Sequence, residues 1–83
     1  MRTSLRAAGA YKKDFLFALV RRYDTRAFSF KQIRKMRSFE HKTFYRLYAD
    51  GYLKVDKDRK GYWKVVGAEV LKERYGAEIM GVE

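Results

Sequence analysis

Ser38, His41, Lys42, Tyr45 and Arg46 recur at steps of three and one, the spacing that collects side chains on one face of a helix. Most of them are long hydrogen-bond donors. An arginine can offer two parallel N–H groups to O6 and N7 of guanine, and lysine, tyrosine and serine suit phosphate oxygens. His41 suits either. Within residues 26–46 the only acid is Glu40, whereas a merely solvated helix usually alternates the signs of its charges. Just upstream, Lys31, Arg34, Lys35 and Arg37 form a second cationic cluster, placed to contact a phosphate backbone without reading bases. A third group, Lys57, Arg59 and Lys60, lies between two alternating segments. At the tip of a hairpin it would reach phosphates or a narrow minor groove, although Asp56 and Asp58 offset part of its charge.

Other chemistries find few residues to carry them. There is no cysteine and His41 is the single histidine, so thiol nucleophiles and zinc sites of four N or S ligands fall away. No glycine-rich phosphate loop and no spaced carboxylate pair suggests acid–base work. Residues 56–61 resemble the start of a calcium loop, but Lys60 and Gly67 stand where oxygen ligands are required. The expectation is therefore no enzyme, no cofactor and no metal. No apolar run approaches the roughly 20 residues of a membrane span.

The chain has 83 residues and 47% hydrophobic side chains, which allows one domain, 1–83, with a thin core. Twenty Lys and Arg against ten Asp and Glu give a net charge of +10, an excess that attracts polyanions. Asparagine is absent, Gln32 is the single glutamine, and 36% of residues are charged. That balance is the direction taken by proteins of hot environments, and it suggests a thermophile, archaeal or archaeal-virus source. Residues 1–9 read as a basic tail.

The elements that must position these clusters follow from periodicity. Tyr11, Phe15, Leu16, Leu19, Val20 and Tyr23 predict an amphipathic helix over 10–23. Phe28 then looks extended, and it could pair with a hairpin edge as a third strand. Ser29 and Gln32 form a capping box for a short helix ending near Met36, with Phe30, Ile33 and Met36 inward. Ser38 can cap the next helix, 38–50. Its buried stripe would be Phe39, Thr43, Phe44, Leu47 and Tyr48, and Gly51 sits where a left-handed stop belongs. Leu53 and Val55 face one way and Lys54 the other. After the turn 57–61, Trp63 and Val65 return on the inner side. Tyr52 and Tyr62 either face outward with Lys54 and Lys64, as an aromatic and basic strand face suited to stacking unpaired bases, or pack cross-strand and anchor the wing. A last helix, 68–75, points Val70, Leu71 and Tyr75 inward and closes at Gly76. Residues 77–83 would fray or pack on a second subunit.

With that order on the page, residues 10–75 resemble the winged helix-turn-helix superfamily. Phe28-Ser29-Phe30-Lys31-Gln32-Ile33 looks like its strand followed by the capped second helix. Leu47-Tyr48-Ala49-Asp50-Gly51-Tyr52-Leu53 is similar to the end of its recognition helix, and Gly61-Tyr62-Trp63-Lys64-Val65 to the return strand of its wing. The resemblance implies an α+β, mainly α fold: a three-helix bundle, a two- or three-stranded wing hairpin and a C-terminal helix. It implies a partner, double-stranded DNA, and a cytoplasmic, nucleoid-associated transcription regulator, in the host cytoplasm if viral. Winged helices also include RNA-binding, ribosomal and protein-adaptor members, and the same charges would serve a non-specific architectural binder. A homodimer is expected from the residues themselves, because Val70, Leu71, Tyr75 and Ile79 continue an apolar stripe beyond one small core.

Overall fold

The first predicted helix is realised as α1 (Lys13–Tyr23) in the computed structural model, which describes residues 13–82. The expected start of that helix, with Tyr11, and the basic tail lie outside the described residues. α1 is covered on more than the predicted stripe. Phe17 and Ala18 are buried along with Phe15, Leu16, Leu19 and Val20, and a helix buried nearly all round must have neighbours on several sides. Tyr75 packs on Phe17 with ring centroids 5.3 Å apart, and Phe39 meets Phe15 edge-on at 5.6 Å. After α1, Asp24 takes a left-handed φ of 54°, a conformation aspartate tolerates better than most side chains. Its carboxylate accepts from Lys72 Nζ at 2.7 Å.

β1 (Phe28–Ser29) leads straight into α2 (Phe30–Ile33). The capping box forms as predicted: the Gln32 amide donates to Ser29 Oγ at 3.2 Å, and the Ser29 amide donates to Gln32 Oε1 at 2.8 Å. Regular α-helix then stops three residues before Met36. The chain continues in tighter turns, with the Lys35, Met36 and Phe39 amides each donating to the carbonyl three residues back.

α3 (His41–Ala49) starts later than predicted. Glu40, not Ser38, is its N-cap residue, in extended conformation. Phe39 explains the delay. Its ring is seated edge-on against both Phe15 and Phe30, which fixes the chain here before the helix begins. Thr43 Oγ1 donates to Glu40 Oε1 at 2.5 Å across the first turn. The stop is the predicted one. Gly51 has φ 89°, its amide donates to the Tyr48 carbonyl, and the Tyr52 amide reaches the Leu47 carbonyl at 2.9 Å. This paired arrangement satisfies the last helical carbonyls and needs a residue free of Cβ strain at Gly51. It also turns Tyr52 into the core, which removes it from the outer strand face.

β2 (Leu53–Val55) and β3 (Tyr62–Val65) form the hairpin, and β1 joins β3 on its free side, so the antiparallel sheet runs β1-β3-β2. Phe28 pairs with Trp63, Leu53 with Val65, and Val55 with Trp63. These residues share the face turned toward the helices; Lys54, Lys64, Tyr62 and Ser29 share the other. Val55 stays 46% exposed, because it lies at the tip end of the hairpin where the core has run out. Asp56 is buried, and its Oδ1 accepts from the Asp58 amide at 3.1 Å to shape the turn.

α4 (Ala68–Met80) passes through Gly76 instead of ending there, with a kink at Tyr75. The bend keeps Leu71 and Ile79 on the core, 1% and 3% exposed. Residues 77–82 are tied down where fraying or packing on a second subunit was expected, since the Arg21 guanidinium donates to the carbonyls of Met80, at 2.9 Å, and of Val82. The described residues form a mainly helical α+β domain of four helices and one small three-stranded sheet.

Candidate nucleic-acid interface

α3 is the element on which the predicted cluster depends. Phe44 and Leu47 are buried, while His41, Lys42, Tyr45 and Arg46 are exposed. At 100° per residue, Lys42, Tyr45 and Ala49 form the outward ridge; Arg46 flanks it on one side, His41 and Tyr48 on the other. Packing beneath holds the ridge in place. The Phe44 ring meets Phe30 at 5.5 Å and Trp63 at 5.1 Å, both near perpendicular. This edge-to-face geometry adds to simple burial. His41 rests against Phe30 and Phe39, with ring centroids 5.6 and 4.9 Å away.

Ser38 does not join this face. It is half-buried ahead of the helix, in a cleft with Asp14, Arg37, Glu40 and Val82. The helical part of the proposed recognition element is therefore 41–49. The phosphate candidates Lys31, Arg34, Lys35 and Arg37 are all exposed on α2 and the turns that follow it.

The wing cluster divides. Lys57 and Lys60 are exposed at the tip. The Arg59 guanidinium lies 3.6 Å from the centroid of the Tyr62 ring, a cation–π contact that draws it back over the outer sheet face. The buried, turn-forming Asp56 offers less compensation to a ligand than its position in the sequence suggests.

Tyr48, expected in the buried stripe, is 44% exposed, and Tyr45 is 57% exposed. The Tyr48 ring stands at 89° to Trp63 with centroids 5.2 Å apart, so one edge is anchored while the rest faces solvent. Its helical angle lies at the margin of the buried arc, and only the position of Trp63 decides the outcome. The residues expected to form a dimer surface divide. Leu71 and Ile79 belong to this chain's own core, and Tyr75 is half-buried on Phe17. Val70 and Met80 remain as the exposed large apolar side chains of α4.

Among the described residues, no group of three or more His, Asp and Glu side chains is placed to hold a metal ion, and no helix is long and apolar enough to cross a membrane. No family model matches the chain, no curated protein matches its sequence, and no solved structure matches it.

Proposed function

We propose that this domain is a winged helix-turn-helix protein that binds duplex DNA, with α3 in the major groove and the cations of α2 and the following turns on phosphates. Two features support the fold: the order α1-β1-α2-α3-β2-β3, and a sheet in which β1 lies beside β3. The observation that carries the function is the sidedness of α3. Phe44 and Leu47 are sealed beneath, and Lys42, Tyr45 and Arg46 stand outward. A helix of this width fits the major groove. The role is regulation of transcription at preferred sites, in the cytoplasm with the nucleoid. Self-association through α4 would rest on Val70 and the half-buried Tyr75, because Leu71 and Ile79 are core residues.

A second reading draws on Tyr45 and Tyr48, adjacent exposed rings that suit the stacking of unpaired bases. Selection from a random duplex library at physiological salt separates the two. A site-specific protein enriches a motif that it prefers to random duplex by roughly 10³-fold or more. Recovery without enrichment would leave a non-specific architectural binder, structured RNA competing equally would favour the RNA reading, and no recovery would refute duplex binding.

A further inference from the structure

Lys54 and Lys64 stand directly opposite each other on the face of the sheet turned away from the helices. Like charges in that position destabilise a strand pair, and the pair is not isolated. Arg26, Arg59 and Lys64 line a cleft of about 550 Å³ on this side of the sheet, together with Asp56. An adjoining hollow of about 260 Å³ is lined by Lys54, Lys57 and Lys64 with Asp56 and Asp58. Two of these cations are already held in place. The Arg26 guanidinium donates to the carbonyls of Tyr23, at 3.1 Å, and of Arg22, and Arg59 lies over Tyr62 at 3.6 Å. Ordered cations lose less entropy when an anion arrives. Nothing in the core calls for this arrangement, and none of these residues lies on α3.

We infer that the outer face of the sheet is a second nucleic-acid surface, which takes the phosphate backbone of a separate duplex segment while α3 holds the first. The inference rests on the duplex-binding reading of α3 and extends it to bridging. Size decides between one duplex and two. α3 packs on the inner side of the sheet through Phe44, Tyr48 and Trp63, so its outward ridge and the outer sheet face turn in different directions on a body measuring 30 × 23 × 22 Å. Duplex DNA keeps its direction over roughly 150 base pairs, and it cannot fold around so small an object to serve both faces. The outer face lacks a helix to enter a groove, so the second segment is held by charge alone and without sequence preference.

The test is a capture experiment. A biotinylated duplex on beads is loaded with protein, washed, and offered a second, fluorescent duplex. Lys54→Glu is the informative variant, because it replaces a like-charge cross-strand pair with an opposite-charge one and so does not weaken the hairpin. Arg74→Glu, at an exposed position of α4, makes the same change in net charge elsewhere. The expected result is capture by wild type and by Arg74→Glu. Lys54→Glu should reduce capture roughly tenfold at about 0.1 M salt, with an undiminished melting temperature and binding to the first duplex within about threefold of wild type. Binding of the first duplex without capture of the second would overturn the inference and leave the α3 reading standing. Equal loss in Arg74→Glu, or none in Lys54→Glu, would also overturn it. Failure to bind the first duplex would remove both.

Discussion

Replacing Lys42 with alanine isolates one charge in the middle of the outward ridge of α3. The side chain is exposed, and alanine is the better helix former, so the fold should change by no more than about 0.5 kcal/mol. Any effect on binding is then an effect at the surface. Each phosphate neutralised by a cation contributes about −0.9 to the slope of log affinity against log salt. Loss of the Lys42 contact should therefore make the slope shallower by about 0.9, and an approximately fourfold rise in salt should narrow the gap between the two proteins by roughly 3.5-fold. Fluorescence anisotropy with a labelled duplex, repeated from low to physiological salt, measures both slopes. Parallel lines would show that Lys42 touches no phosphate. Identical affinities at every salt would take the ridge out of the interface.

Three further substitutions probe other parts of the account. Arg46→Ala should cost about 1–3 kcal/mol of binding and relax preference at one base position; an equal loss on every sequence would assign Arg46 to a phosphate instead. Ser29→Ala removes the capping box and should cost about 1 kcal/mol, a fall of roughly 4–8 °C in melting temperature for a domain of this size. An unchanged melting curve would mean that α2 does not depend on its cap. Ile79→Ala should lower stability to urea by about 2–5 kcal/mol, because this residue is buried beneath the second half of α4. A neutral result would return residues 77–83 to a frayed tail.

The parts of this molecule legible in the sequence are those governed by neighbours in the chain. The Ser29–Gln32 box and the left-handed Gly51 follow from local patterns, and both are present; the pairing of Phe28 with Trp63 is a distant contact that the extended look of residues 27–28 only made available. The errors arise where distant side chains decide. Ser38 has a good capping side chain, but Phe39 must reach Phe15 and Phe30 first, so α3 starts at His41. Tyr48 lies at the edge of the buried arc, and Trp63, fifteen residues on, settles its exposure. Gly76 looks like a stop until the kink at Tyr75 brings Ile79 onto the core. The charged ridge was easier to read, because Lys42, Tyr45 and Arg46 fall on the helix face turned away from Phe44 and Leu47. The placement of Arg59 was not readable, since its contact with Tyr62 depends on how the turn closes.

The most direct test of the central claim is an amide chemical-shift titration of the ¹⁵N-labelled protein with a short duplex at low salt. The account predicts that the largest perturbations fall on residues 41–49 and 31–37, with the buried amides of α1 little changed. Perturbations concentrated on α4, with α3 silent, would contradict it.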